Sequence, residues 1–306
     1  MTRIDDLFLK CVFYVYMSKE DAFQGHPDSA TGFFLGIPSS YDNSQFYIYA
    51  ITNKHVIKHN EMETPILRVN NFEGTSNLIE TKKEEWRFHP LGSDLAICLI
   101  DANQLQDTSF LSQEFLLTNE FMEEKNVGVG DDVFVIGNFQ TRGGKTRNYP
   151  TVRLGNIAQM PNEPLKNPYT TLDEESFIIE LHSTSGYSGS PVILSIPWII
   201  NRKFDRKKEE KTPPKWHNPE PDYYRLLGID WGHIQTKESL YNSDGERLPN
   251  GESIWINSAM AGVVPSWKIA EMLYSEEEED IRKKEDEQFK MENGLPIRLI
   301  LTKEKN

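Results

Sequence analysis

The stretch Ser185-Gly186-Tyr187-Ser188-Gly189-Ser190-Pro191 places one serine between two glycines, directly ahead of the apolar run 192–194. Glycine permits a tight turn and a close approach to the backbone. A serine in such a turn can present its Oγ outward while the N–H groups of Gly186 and Ser188 point at one spot. Two amide donors aimed at one point can stabilise an oxyanion. The alternative is an ordinary Gly/Ser turn before a strand, and the rest of the chain decides between them.

The size and net charge of the chain limit the class of protein to which it can belong. The chain has 306 residues, 38% of them hydrophobic, which is enough for one large core or two of medium size. Its formal charge of -14 argues against nucleic acid as the main partner, because a phosphate backbone would be repelled. No apolar run approaches the ~18 residues of a membrane span, so we expect no membrane partner.

Cysteine use and the N-terminus indicate the compartment. The only cysteines are Cys11 and Cys98, too few for the disulfide framework of a small secreted domain. The first seventeen residues lack the basic start, unbroken apolar stretch and cleavage site of a signal peptide. We therefore expect a cytoplasmic protein.

Short apolar segments bounded by turn residues predict strands along most of the chain. In the first half they cover 9–17, 30–36, 45–52, 65–69, 85–88 and 95–100. In the second half they cover 132–137, 151–154, 177–181, 192–196, 225–229 and 254–256. No helix of ten or more residues is predicted between the strands of the first half, and the polar stretch 101–123 is a predicted linker. The pattern predicts an all-β fold of barrels or sandwiches.

Two other segments differ in composition. From Ser266 the apolar spacing changes to that of a helix, predicted to extend to Asn293, with acid–base pairs four residues apart. These pairs are Glu278/Arg282, Glu279/Lys283 and Asp280/Lys284. A short strand-like tail, 295–301, follows. The charge-dense stretch 201–222 is predicted to be a solvated loop, and a partner-binding surface is the alternative.

Three polar residues stand at the ends of predicted strands in a suggestive order. His55 follows the third strand, Asp94 opens a later one, and Ser188 precedes the run 192–194. Nucleophilic catalysis by serine needs a base within hydrogen-bond reach and an acid that orients the base. His55 with His59 could mimic a metal pair, but no third ligand motif supports one, so we predict no metal.

The α/β-hydrolase turn is a competing explanation for the serine. That turn has the pattern G-x-S-x-G, and its catalytic residues follow in the order Ser, Asp, His. Here Ser190 replaces the second glycine, and the order is His55, Asp94, Ser188. Both observations argue against that fold.

The motifs around these residues resemble those of a known family. They are T-N-K-H-V around His55, S-D-L-A-I around Asp94, G-Y-S-G-S-P-V around Ser188 and G-I-D-W-G at 228–232. Weaker matches are G-D-D-V-F-V-I-G-N at 130–138 and G-V-V-P at 262–265. The sequence resembles the chymotrypsin-like (trypsin-like) serine peptidases, and its motifs look most like those of the bacterial glutamyl endopeptidases.

The resemblance implies two six-stranded antiparallel β-barrels with the active site between them. The expected N-terminal barrel is 1–115, the C-terminal barrel is 116–265, and a C-terminal helix and tail occupy 266–306. It also implies that Ser188 attacks the acyl carbon, His55 takes and returns the proton, and Asp94 fixes the imidazole tautomer. The amides of Gly186 and Ser188 would hold the oxyanion, without a cofactor.

One departure from the family bears on activation. Relatives often carry Asp or Asn where this chain has Tyr187, and in members activated by cleavage a new N-terminus pairs with that Asp. This switch is unavailable here, so we expect constitutive activity or another means of control. Tyr187 also raises the question of whether the oxyanion loop is formed at rest.

A second departure concerns specificity. By resemblance, the substrate side chain before the scissile bond would contact His182, Ser183, Asp230, Trp231 and Gly232, with Gly262 near the back of the pocket. Glutamyl endopeptidases carry histidine at the position of Asp230. An aspartate there attracts Lys or Arg, which predicts cleavage after a basic residue. The alternative is that Asp230 pairs with His182 or His233, or faces the triad histidine.

The sequence thus leads to two hypotheses. The first is an intracellular serine endopeptidase acting on protein or peptide substrates, restrained by narrow specificity or by a regulatory partner. The second is a catalytically dormant binding module of the same fold, with the stretch 201–222 or the C-terminal tail as its interface.

Overall fold

The computed structural model describes residues 4–42, 45–58, 64–181, 185–196, 223–244, 247–248 and 252–293. Several predicted features lie outside these residues. They are the pocket residues His182 and Ser183, the second histidine of the candidate metal pair, His59, the charged stretch 201–222 and the tail 295–301.

The first half of the chain forms one eight-stranded sheet. Its strands are β1 (Val12–Tyr16), β2 (Ala30–Pro38), β3 (Phe46–Thr52), β4 (Ile66–Asn70), β5 (Ser76–Glu80), β6 (Arg87–Phe88), β7 (Ala96–Ile100) and β8 (Leu111–Ser112). They follow the order β5-β4-β1-β2-β3-β7-β6, and β8 pairs with β2. The predicted hairpin of the second and third strands is confirmed, with Phe34 opposite Ala50.

The second half forms a closed barrel of six strands and a small separate hairpin. Its strands are β9 (Asp132–Gly137), β10 (Thr151–Gln159), β11 (Leu165–Lys166), β12 (Asp173–Glu174), β13 (Phe177–Glu180), β14 (Pro191–Ser195), β15 (Tyr224–Ser239) and β16 (Ser253–Pro265). The barrel order is β10-β13-β16-β15-β14-β9, and β11 pairs with β12 alone. All of these pairings are antiparallel.

The predicted all-β fold of two halves is confirmed, and the second half is the expected six-stranded antiparallel barrel. The first half departs from a six-stranded antiparallel barrel, because its described strands number eight, include one parallel pair and do not close. The extra strand β8 comes from the stretch predicted as a linker. Leu111 in that stretch is fully buried beside Leu35, so it adds to the sheet instead of crossing solvent.

Short helices connect the strands and were not predicted. They are α1 (Asp6–Lys10), α2 (Lys19–Gln24), α3 (Lys54–Lys58) and α4 (Asn119–Lys125). Five to seven residues are too few to show a helical period, and side-chain caps start three of them. Asp5 accepts from the Leu7 N–H at 2.8 Å, and Ser18 and Thr118 cap α2 and α4 in the same way.

The predicted C-terminal helix is two helices, α5 (Ser266–Leu273) and α6 (Glu276–Asn293). Ile269 and Leu273 of α5 are fully buried, as the apolar spacing predicted. Of the predicted acid–base pairs, Glu279 and Lys283 form an ion pair at 3.6 Å.

Helix α6 docks on the first sheet through charged residues instead of apolar ones. Glu278, Arg282 and Asp286 are spaced one turn apart along one side of the helix, and all three are buried. Glu278 pairs with Arg87, and Arg282 donates to the Tyr49 hydroxyl at 2.9 Å. Arg87 and Tyr49 on the sheet therefore take the place of one pairing that the sequence predicted within the helix, Glu278 with Arg282.

Phe8 of α1 lies where the two halves meet. Its ring is fully buried and packs edge-on against Phe115, Phe134 and Tyr224, with centroids 5.8, 5.4 and 5.3 Å away. Phe134 and Tyr224 belong to β9 and β15 of the closed barrel. The N-terminal helix therefore attaches the start of the chain to the core of the second half.

We predict that Phe8→Ala lowers the free energy of unfolding by about 3–5 kcal/mol, because it leaves a cavity among three aromatic rings. Phe23→Ala is the matched control, since the Phe23 side chain on α2 is 78% exposed. Its effect should stay within about 0.5 kcal/mol. Denaturant unfolding of both variants measures the difference, and equal losses would contradict the packing described here.

Candidate active site

His55 and Asp94 meet because neighbouring strands end beside each other. Thr52 at the end of β3 pairs with Ala96 at the start of β7, so the residues just beyond them lie together. Asp94 Oδ2 lies 2.6 Å from His55 Nδ1, and Oδ1 accepts the His55 backbone N–H at 2.8 Å. Asp94 is fully buried, whereas the His55 side chain keeps 13% of its exposure. The pair directs Nδ1 at the carboxylate and leaves Nε2 free to act as a base.

The hairpin of β11 and β12, from the second half, supports Asp94 from behind. Glu174 Oε1 accepts the Asp94 backbone N–H at 2.9 Å. The Asn167 side-chain amide donates to Glu174 Oε2 at 2.8 Å and lies 3.5 Å from Asp94 Oδ2. Burial raises the pKa of Glu174 above the ordinary glutamate range. Sequence reasoning missed both residues, because no motif marks this short polar hairpin.

Tyr169 at the tip of the same hairpin covers one face of His55. The two rings are stacked, with centroids 4.0 Å apart and planes 11° apart. Burial, and then the charges of Asp230 and Asp94, raise the pKa of Tyr169. The imidazole is thus held between a carboxylate at its edge and an aromatic ring on its face.

Ser188 lies in a turn that two glycines make possible. Gly186 and Gly189 have φ angles of 97° and 87°, in the left-handed region, and the Ser190 N–H closes the turn on the Tyr187 carbonyl at 2.8 Å. Ser188 Oγ lies 3.5 Å from the Trp231 carbonyl.

A cavity of about 270 Å³ is lined by Ser188, Gly186 and His55, among other residues. Within the described chain no hydrogen bond joins His55 to Ser188. A serine–histidine bond of this kind is often long before a substrate arrives. The three predicted residues are therefore brought to one place, two of them on the cavity wall and Asp94 behind the histidine.

The two residues predicted to supply the oxyanion donors, Gly186 and Ser188, line the cavity. Among the described residues, neither the Gly186 nor the Ser188 N–H donates to another protein group. Because the N–H and C=O of one peptide point in opposite directions, the Tyr187 carbonyl, held by Ser190, turns the Ser188 N–H out of the turn. Tyr187 itself is fully buried and bonds the Thr151 hydroxyl, so its ring lies in the barrel and away from the nucleophile.

The predicted pocket residues on β15 differ in their access to the cavity. Gly232 lines it, whereas Asp230 is fully buried and absent from the described lining. The Asp230 carboxylate accepts the Gly232 N–H at 2.7 Å. Trp231 is buried with its ring against Gly262. Asp230 thus presents no exposed surface to a substrate, and the preference for a basic residue stays a prediction.

Among the comparisons with known proteins, the one with solved structures bears on the fold. No family model and no curated protein matches this sequence. The chain is similar to the MamO protease domain from Magnetospirillum magneticum in its apo form. The TM-score is 0.51 and the identity 15%, over 88% of this chain and 98% of that one. The chain has the chymotrypsin-like fold.

A second structure is less similar, and no argument is based on it. It is an inactive serine-to-alanine mutant of Rv3671c from M. tuberculosis H37Rv, with a TM-score of 0.43 and 12% identity over 87% of each chain. At 15% identity the likeness to the MamO protease domain concerns the fold alone. The narrower resemblance to glutamyl endopeptidases stays a prediction.

The described residues contain no candidate membrane-spanning helix and no candidate metal cluster. None of their helices is long and apolar enough to cross a membrane. None of their histidine, cysteine and acidic side chains form a group of three or more that could hold a metal ion.

We predict that Gly189→Ala strongly destabilises the site. Gly189 has a left-handed φ, and an added Cβ would collide with the Thr31 carbonyl and the Thr52 hydroxyl. The expected loss is on the order of 2 kcal/mol or more in the free energy of unfolding. Gly128→Ala is the control, because Gly128 has an ordinary φ and open space around it. Thermal unfolding compares the two, and a harmless Gly189→Ala would show that the turn is formed differently.

Proposed function

We propose that this protein is a serine endopeptidase that hydrolyses peptide bonds through an acyl-enzyme. Ser188 is the nucleophile, His55 the general base and Asp94 the residue that orients His55. The observation that carries the proposal is the 2.6 Å pair of His55 and the buried Asp94, beside a cavity that also holds Ser188. The chymotrypsin-like fold supports it, because that fold joins such a pair to a serine across two halves.

The geometry supports the following steps. Asp94 accepts a hydrogen bond from the Nδ1–H group of His55, which leaves the Nε2 lone pair to take the Ser188 hydroxyl proton as Oγ attacks the peptide carbonyl. The developing oxyanion is stabilised by the N–H groups of Gly186 and Ser188. His55 then returns the proton to the leaving amine, and a water molecule repeats the sequence to release the acyl group.

The substrate proposed for this site is an extended segment of a protein or peptide. Strand β14 pairs with β15 as far as Ile229, and the Asp230 backbone is then bonded to Gly189 and Ser190. At Trp231 and Gly232, next to Ser188, β16 is the only described strand that pairs with β15, although the Gly232 N–H already donates to the Asp230 carboxylate. An extended peptide can add to such an edge through main-chain hydrogen bonds.

The predicted preference for a basic residue before the scissile bond is part of this proposal. Its basis is the charge of Asp230 near the pocket, although the carboxylate is buried. We expect a peptide library to give Lys or Arg at that position for the wild-type protein. A profile with acidic or apolar residues there would contradict the prediction. Asp230→Asn is the informative comparison, because it keeps the shape and an acceptor for the Gly232 N–H while it removes the charge.

The proposed setting is the cytoplasm, with a regulatory partner or narrow specificity to restrain the enzyme. The second candidate function is a dormant binding module. It is favoured by two observations: no hydrogen bond joins His55 to Ser188 among the described residues, and Tyr169 covers the imidazole.

A fluorophosphonate probe separates the two functions. We expect it to label the wild-type protein and not Ser188→Ala, because only an activated serine attacks the probe. Asp94→Asn should label more slowly by a factor on the order of 10³ to 10⁴, since the imidazole would carry its proton on the wrong nitrogen. Ser195→Ala, at the far end of β14, is the control and should label like the wild type. An unlabelled wild-type protein would favour the dormant module.

A further inference from the structure

Thr31 of β2 makes four hydrogen bonds, two of which join the first half of the molecule to the Ser188 turn. Its backbone N–H donates to the Ser188 carbonyl at 3.0 Å, and its hydroxyl donates to the Gly186 carbonyl at 2.6 Å. The same hydroxyl accepts the Asn138 N–H at 2.9 Å, and the Thr31 carbonyl accepts the Thr52 hydroxyl at 2.7 Å. Thr31 is fully buried, so water cannot replace any of these partners.

We propose that Thr31 is a positioning residue that holds the oxyanion-binding peptides of the Ser188 turn in their productive orientation. The inference rests on the proposed function, because it concerns the same reaction. Thr31 fixes the carbonyls of Gly186 and Ser188, which flank the Tyr187–Ser188 peptide on both sides. With both flanking peptides fixed, the Ser188 N–H has little freedom to rotate away from the cavity, whereas the Gly186 N–H is held from one side only, through the Gly186 carbonyl.

The position of Tyr187 explains why this support comes from the other half. An aspartate at that position could anchor the turn through its own carboxylate, whereas the Tyr187 side chain is buried against Thr151 and Arg153. The turn is therefore held from outside, by β2. The Thr31 carbonyl also accepts from Thr52, three residues before His55, so one residue contacts both the nucleophile turn and the strand that leads to the base.

The chemistry of the hydroxyl makes the role testable. It acts as donor to Gly186 and as acceptor from Asn138, and only a hydroxyl can do both at this site. Thr31→Val keeps the shape but removes both functions, which leaves the Gly186 carbonyl and the Asn138 N–H unpaired in a buried place. Thr31→Ser retains the hydroxyl and therefore keeps both the donor to Gly186 and the acceptor from Asn138.

The experiment measures kcat and KM on a peptide substrate, and the rate of fluorophosphonate labelling, for the full chain. We expect Thr31→Val to lower kcat and the labelling rate about 10- to 100-fold with KM changed less than about threefold, because the oxyanion forms after binding. Thr31→Ser should keep kcat within about threefold of the wild type. Thr118→Val is the control for the loss of a structural hydroxyl, since Thr118 only caps α4. It should lower the melting temperature without lowering kcat.

Every result for the Thr31 variants either supports the positioning role of Thr31 or contradicts it. The inference is overturned if Thr31→Val keeps the wild-type kcat or changes KM alone. It is also overturned if Thr31→Ser loses as much kcat as Thr31→Val does. If Thr31→Val does not fold, Thr31→Ala removes the hydroxyl without placing a methyl group against the Gly186 carbonyl, and the same criteria apply. A wild-type protein that is never labelled refutes the proposed function and this inference with it, whereas a labelled wild type with an equally labelled Thr31→Val refutes the inference alone.

Discussion

The buried carboxylate of Asp94 is the constraint on which the site depends. A charge with no access to water has to be satisfied by protein donors, or it destabilises the fold by several kcal/mol. His55 supplies two donors from the first half, through its ring and its backbone N–H. Asn167 approaches from the second half, and Glu174 holds the Asp94 backbone. The close donors to this carboxylate therefore come from His55, and the second half adds the Asn167 amide at 3.5 Å, so both halves meet around Asp94, beside the cavity that Ser188 lines.

Apolar contacts and hydrogen bonds both join the two halves, and they contribute differently to the interface. The packing of Phe8 on Phe134 and Tyr224 removes apolar surface from water, and such burial favours association without fixing a direction. The hydrogen bonds of Thr31 to the Ser188 turn, and of Glu174 to Asp94, are directional and tolerate little displacement. Apolar contacts thus stabilise the interface, while the polar contacts set the register between base and nucleophile.

Local sequence predicted the parts of the molecule that local interactions determine. Strands β3, β7 and β9 were predicted to within one or two residues, because apolar runs end there at turn residues. Strands β11 and β12 were missed, because two residues each carry no pattern. His55 and Asp94 could be found from their motifs, although 39 residues separate them. Thr31 and Glu174 could not, because their partners lie 155 and 80 residues away and their own neighbours carry no signature.

The β11–β12 hairpin contacts the His55–Asp94 pair at two places: Tyr169 stacks on the His55 ring, and Glu174 accepts the Asp94 N–H. Asn167 accepts the Tyr169 N–H at 2.9 Å through its side-chain oxygen, while its amide group donates to Glu174. Thr171 has a φ of 61°, unusual for a residue other than glycine, and its N–H donates to the Asn167 carbonyl at 2.8 Å. Asn167 bonds both the tip of the hairpin, at the Tyr169 N–H, and its base, at Glu174. The residue that covers His55 and the residue that holds the Asp94 backbone are therefore connected through the side chain of one asparagine, which fixes the hairpin backbone on both sides of the His55–Asp94 pair.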